Sequence, residues 1–329
     1  MKLSHRERME RTLQGEKADQ IPISLWNHFP VDDQQPELLA KATISFQKTY
    51  DFDFVKVMPP SSFCLKDWGA KDIWKGNNEG TRDYLTPVIK KQEDWKLLKT
   101  LNPLDGYLGN QLECLKLLKA KLPSDVPFIQ TIFNPLSQAK NLAGKSTLLP
   151  YLRKSPRALH DGLKTITETT IRFIKECLKL KIDGFFFAVQ HASYDLLSEI
   201  EFEEFVLKYD RELFELISEA WLNMVHIHGT NIMFDQMCKY PFQILNWHDR
   251  DTSPNLKQGA ELSGSSVCGG LSRINTMVLG NEQSIRTEIT DAIGQTDGKG
   301  LIIGTGCVMP LNTPYGNIMS AVEITRSFS

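Results

Sequence analysis

The feature that most limits how this chain folds is a regular alternation of short apolar runs with amphipathic stretches. Eight such runs occur, at residues 21–26 (IPISLW), 52–58 (FDFVKVM), 126–133, 184–189 (GFFFAV), 224–228 (MVHIH), 244–247 (ILNW), 266–271 (SVCGGL) and 300–307 (GLIIGTGC). Between and after them, helical periodicity is read over 37–50, 92–121, 155–181, 201–222, 231–240, 255–262, 281–294 and 314–326, and Ser4 caps an opening helix that runs to Leu13. Runs that are apolar throughout, rather than alternating, belong to strands buried on both faces, and helices that intervene each time require those strands to be parallel. Eight strand–helix units in 329 residues predict an α/β chain forming one domain over 1–329, a closed (β/α)8 TIM barrel. An open doubly wound sheet is the alternative, but no G-x-G-x-x-G follows the first run. Residues 61–90 read as a long loop, of the size that usually has a functional or lid role.

Charge and cysteine usage exclude several classes. Lys+Arg (38) nearly balances Asp+Glu (40), so no global field invites nucleic acid or an anionic membrane. No apolar run approaches the roughly 18 residues of a spanning helix. The amino-terminal segment is charged and helical in pattern, without the apolar core of a secretory signal, and a cytoplasmic location is expected. Cys64, Cys114, Cys177, Cys238, Cys268 and Cys307 form no close pairs, as expected of reduced thiols rather than a disulfide framework.

Barrel sites lie at the carboxyl ends of the strands. Five of the seven histidines fall there in this reading: His28, His191, His226, His228 and His248. His226 and His228 are two apart on one strand, so both rings enter the same space. Cys307 ends the eighth run, and a closed sheet brings that end onto the same rim. Two imidazoles and a thiolate suit zinc with an open fourth position; hydrogen-bonded pocket histidines beside an inert thiol fit the same pattern. His248 offers a further ligand or a proton carrier. Arg250 offers an anion clamp or a rim ion pair with Asp249. Gln190 and Asn27 offer hydrogen bonds, and Trp26 a stacking face or a piece of core.

The segments IPISLW, FDFVKVMP, DGFFFAVQ with LLSEIEFEEFVLKYDREL, HIHGTN and GLIIGTGCVMPLNTPYGNI resemble the uroporphyrinogen decarboxylase (URO-D) superfamily over essentially the whole chain. The resemblance implies the same (β/α)8 barrel. It covers decarboxylases of tetrapyrrole biosynthesis and zinc methyltransferases acting on methylcobalamin, such as methylcobalamin:coenzyme M methyltransferase. The decarboxylases carry arginines after the first strand and a histidine in the last glycine-rich turn; here those places hold Trp26–Pro30, without arginine, and Cys307. The methyltransferases carry H-x-C and a distal cysteine. Here His226 and Cys307 match, His228 replaces the proximal cysteine, and 78 residues separate His228 from Cys307.

The resemblance therefore implies zinc on His226, His228 and Cys307, and methyl transfer between a corrinoid (methylcobalamin) and a thiol or similar nucleophile. His248 or His191 would exchange the proton, and Trp26, Asn27, His28, Gln190 and Arg250 would contact cofactor or substrate. Expected partners are a corrinoid protein, a small-molecule thiol or other methyl acceptor, and a second copy of the chain in a homodimer, with no nucleic acid or membrane. Three alternatives stand beside it: a decarboxylase using Lys56, Arg250 and Arg273 for a carboxylated substrate, a metal-dependent hydrolase, and a non-catalytic corrinoid- or tetrapyrrole-binding barrel.

Overall fold

The computed structural model describes residues 2–328. Seven of the eight apolar runs form strands of one parallel sheet: β1 (Val55–Val57) and, beyond the small antiparallel hairpin β2 (Lys71–Ile73) and β3 (Asp83–Thr86), β4 (Phe128–Phe133), β5 (Gly184–Val189), β6 (Met224–Ile227), β7 (Ile244–Trp247), β8 (Ser266–Leu271) and β9 (Leu301–Thr305). The large sheet has the order β1-β4-β5-β6-β7-β8-β9, so each strand pairs with the next one in the chain. Side chains alternate across it. Phe186 and Ala188 of β5 face the inside of the curl with Trp26, Phe54, Ile129, Met224, Ile244 and Ile302. Phe185, Phe187 and Val189 face outward into the larger core beneath the helices. The helix Pro156–Lys179 shows how that layer is built: proline opens it, and Leu159, Leu163, Ile166, Phe173, Ile174 and Cys177 supply the buried stripe.

The closed eight-stranded barrel is corrected. The sheet is an open, strongly curled half-barrel whose edge strands, β1 and β9, stand about 11 Å apart. Residues 21–26, expected as the first strand, lie in that gap without forming a ladder. On the β9 side they and Asn27 make isolated bridges, Ile23 with Ile303 and Asn27 with Met309. On the β1 side the pairing passes largely through side chains: the Ile23 N–H donates to Asp53 Oδ2 (2.8 Å), and the Ser24 hydroxyl donates to the Phe54 carbonyl (2.8 Å). Pro22 has no N–H to give. An apolar run bounded by proline, with its polar groups met by Asp53 and Ser24, has the burial of a strand without its register.

The stretch 61–90 is not a plain loop. It carries the β2–β3 hairpin, whose short strands are exposed or half-buried and leave no periodic signal. The hairpin is pinned over the carboxyl ends of the large sheet. Asn78 accepts the Leu311 N–H (2.7 Å), Glu79 pairs with Arg273, and Arg82 donates to the Pro30 carbonyl (2.7 Å) and to Asp72 (3.0 Å). Gly80 sits so close to His28 that an added Cβ would lie 2.5 Å from the His28 Cβ. Among the described residues no helix is long and apolar enough to cross a membrane.

Candidate metal centre and cavity

Three strand ends build the centre. His226 lies in β6 opposite Asn246 of β7, His228 and His248 follow those same strands, and Cys307 follows β9. One ligand atom from each of His226, His228, His248 and Cys307 falls within 4.8 Å of all the others. The Cys307 Sγ stands 3.9 Å from His228 Nδ1. Gly306 makes this approach feasible, because an added Cβ there would meet the His248 Cα and the Trp247 carbonyl oxygen, each at 2.6 Å.

The hydrogen bonds behind the cluster decide which ring atoms face it. Asn246 donates its amide to the carbonyls of Cys268 (2.8 Å) and Thr305 (3.1 Å), which leaves its Oδ1 as an acceptor for His226 Nδ1–H at 2.6 Å. The neutral His226 ring thus keeps its proton on Nδ1 and points the Nε2 lone pair forward, the arrangement in which an outer partner orients a metal-binding imidazole. His248 Nδ1 lies 3.5 Å from Asp251, while its buried Nε2 has no partner. A buried nitrogen without a partner is costly, and a metal ion among these four donors removes that cost. Imidazole and thiolate are the donor types that select zinc, and the group fits.

Electrostatics agree with the donor set. Burial pushes the Cys307 thiol up, but the imidazoles of His226, His228 and His248 around it outweigh burial and hold the thiol well below its ordinary value. Burial lowers His226, the Cys307 thiolate opposing the shift.

A cavity of about 790 Å³ opens beside the cluster, lined by His226, His228 and Cys307 and walled by Trp26, Met58, Phe133 and Phe186. Of the other residues expected at the site, Trp26, His28 and Gln190 line it, with Gln190 Oε1 accepting from Lys140 Nζ (2.6 Å). Asn27, His191 and Arg250 are not among its lining residues. Arg250 is engaged elsewhere, donating to the Gly270 and Glu288 carbonyls (both 2.9 Å) and to Asp291 (2.6 Å). His191 is buried, and burial lowers its pKa to about 3, with Lys140 and His228 adding to the shift. Asn246 and Lys140 were not singled out in the sequence. Asn246 left a signal, a lone amide inside an otherwise apolar strand; Lys140, on the helix Pro135–Ala143, left none.

A parallel α/β sheet curled around a deep cavity, with titratable side chains gathered at the carboxyl ends of its strands, defines a barrel-like protein whose ligand site lies at that mouth. The chain belongs to the uroporphyrinogen decarboxylase (URO-D) family, whose profile matches residues 4–328. It is 22% identical to the methylcobamide:CoM methyltransferase MtaA of Methanosarcina barkeri, over 96% of this chain and 95% of that one. It is 29% identical to the uroporphyrinogen decarboxylase of Flavobacterium johnsoniae, over 61% of this chain and 58% of that one. Its fold matches that of a solved structure titled as a methyltransferase from Methanosarcina mazei, with a TM-score of 0.84, 20% identity and 99% of each chain covered.

Proposed function

We propose that the protein is a methyltransferase that moves a methyl group between a corrinoid and a thiol or similar nucleophile, with a zinc ion held by His226, His228 and Cys307 and within reach of His248. The observation that carries this reading is the cluster of three imidazoles and one thiolate at the cavity wall. Full-length similarity to a methylcobamide:CoM methyltransferase supports the same chemistry. The decarboxylase reading is the weaker one, because residues 26–30 at the mouth contain no arginine and a thiolate stands in the last glycine-rich turn.

Bound zinc supplies Lewis acidity that lowers the pKa of a thiol at its open position. The chain's own residues supply the rest. Asn246 fixes the His226 tautomer, and the apolar wall of Trp26, Met58, Phe133 and Phe186 keeps water from the reacting sulfur. His248 Nε2, free of any other partner, is placed to accept the thiol proton. A corrinoid donor would supply the methyl group: the methyl carbon would bond to the thiolate sulfur as the cobalt–carbon bond breaks, the electron pair staying on cobalt. Zinc analysis of protein purified without affinity-tag metals is expected to find about one ion per chain. The Cys307→Ser variant is expected to bind zinc more weakly than wild type by more than the ~10–100-fold that loss of an outer partner costs. Wild-type protein without stoichiometric metal would refute the zinc mechanism.

A further inference from the structure

A carboxyl that the cluster does not use is buried on the other side of the sheet. Asp210 belongs to the helix Lys208–Ile217 and is 0% exposed. Four residues on, Phe214 packs against the outward-facing Phe187 of β5, with ring centroids 4.7 Å apart, so this face of the helix looks into the outer core. Asp210 Oδ2 accepts hydrogen bonds from the Tyr240 hydroxyl (2.9 Å) and the Asn134 amide (3.2 Å), while its buried Oδ1 has no partner. Both donors are uncharged. A carboxylate removed from water with two neutral donors on one oxygen is costly, and burial pushes its pKa up to about 7 against the pull of those two bonds. Packing alone does not call for an acid at this position.

From Asp210 the hydrogen bonds lead to the cavity wall. Asn134 follows β4 and caps the helix Pro135–Ala143, its Oδ1 accepting the Ser137 N–H (3.1 Å) and the Ser137 hydroxyl. That cap fixes which way the amide points. Ser137 Oγ in turn accepts the N–H of Gln190 (3.3 Å), the residue after β5. Gln190 lines the cavity, and so does Lys140, one turn along the capped helix and bonded to the Gln190 side chain. Every donor points the same way, from Gln190 toward Asp210, and a negative charge at the end of such a chain strengthens each bond before it. We infer that Asp210 is a proton-linked positioning residue: ionised, it tightens this chain and joins the end of β5 firmly to the helix Pro135–Ala143, and protonated it slackens that part of the cavity wall. The other titratable and charged groups around it are committed. Burial and Asp210 itself hold Tyr240 as the neutral phenol. Arg211 is exposed, 3.7 Å from Glu203. Tyr209 is bonded to His160 of the helix Pro156–Lys179 (2.7 Å), and His160 to Glu204 (3.0 Å). Lys140 stands at the far end of the chain. The inference goes beyond the proposed reaction and does not depend on a metal.

The test is a nuclear magnetic resonance titration of the full chain with isotope-labelled glutamine, from about pH 5 to about pH 9. The Gln190 backbone resonance is the one missing from Gln190→Glu. In wild type its amide proton is expected to move downfield in a step as Asp210 ionises. Asp210→Asn keeps an acceptor and removes the charge; Ser137→Ala keeps the charge and cuts the chain. Both are expected to lose that step, whatever Lys140 contributes to all three proteins. The inference is overturned if wild type shows no step that both variants lose. Amide exchange, corrected for its intrinsic pH dependence, reads the slackening itself. At about pH 8.5 the Ser137 and Gln190 amides should exchange about fivefold faster in Asp210→Asn than in wild type, the difference between a neutral and a charged acceptor. At about pH 5, with Asp210 protonated, the two proteins should agree. Equal exchange at the higher pH also overturns the inference. Thermal unfolding of each variant establishes that it is folded.

Discussion

At the scale of single residues, the decisive side chain is Asn246, which touches no ligand. Its two donated bonds, to Cys268 and Thr305, leave it one orientation, and that orientation sets the proton on His226. Replacing Asn246 with leucine removes the acceptor and frees the ring to change tautomer. Zinc affinity, measured by competition with a chromophoric chelator, is expected to fall by about 10–100-fold; an unchanged affinity would show that the tautomer is set elsewhere. His226, His228 and Cys307 were legible in the sequence because same-face spacing on a strand and a position at a strand end are local properties. That His248 joins them, and that Asn246 stands behind His226, depends on which strands are neighbours and in what register. Lys56 was equally visible as a cation on a strand, but that its ammonium donates to the Met58 thioether was not, because a side chain's partner depends on every surrounding element. The carboxylate nearest to it in sequence, Asp53 just before β1, is taken by Arg8 and His5.

At the scale of elements, the glycine-rich end of β9 explains how four donors from three strands meet. The sequence Gly304-Thr305-Gly306 reads either as a turn that lets backbone N–H groups approach an anionic group or simply as a tight βα turn. In the structure the space beside the two glycines is already filled by protein. A Cβ at Gly304 would meet the Cys268 sulfur at 2.7 Å, and one at Gly306 would press on the backbone of Trp247 and His248. Gly306 therefore sets the separation between the ends of β7 and β9, and with it the distance from His248 to Cys307. Gly306→Ala has backbone in its way, which cannot swing aside as a side chain does. It is expected to cost about 1–3 kcal/mol of stability in urea denaturation, in the range of overpacked sites, and to weaken zinc binding in the same protein. Full stability with full zinc affinity would show that the two strand ends move apart freely. The β2–β3 hairpin escaped the sequence for a different reason: its strands bury little, so hydrophobic periodicity, the main guide to structure, is silent there.

At the scale of the whole molecule, the question is what holds an open, curled sheet in shape when its edges do not pair. The run at 21–26 was rightly read as buried and apolar; whether a buried run joins a ladder depends on backbone partners that no local pattern reports. The answer lies under the sheet, at the amino-terminal ends of the strands, where the helix His5–Leu13 reaches several of them. Arg8, 1% exposed, pairs with Asp53 (2.5 Å), the same carboxylate that receives the Ile23 N–H, while Arg6 pairs with Asp183 just before β5. His5 completes the clamp, with Nδ1 3.0 Å from Asp53 and Nε2 3.1 Å from Asp51. The hydrogen bond to Asp53 raises the His5 pKa, burial opposes it, and the charges of Asp53 and Asp51 add to the rise. A histidine whose pKa is raised by folding contributes stability that is fully present below its unfolded value of about 6.5, and that is lost as pH climbs through the folded value. Wild type and His5→Ala should therefore differ most in unfolding free energy at about pH 5.5 and least at about pH 8.5. Paired urea titrations across that range measure the difference, and a gap that stays constant or widens with pH would mean that His5 acts by packing alone, leaving Arg8 and Asp53 to close the sheet.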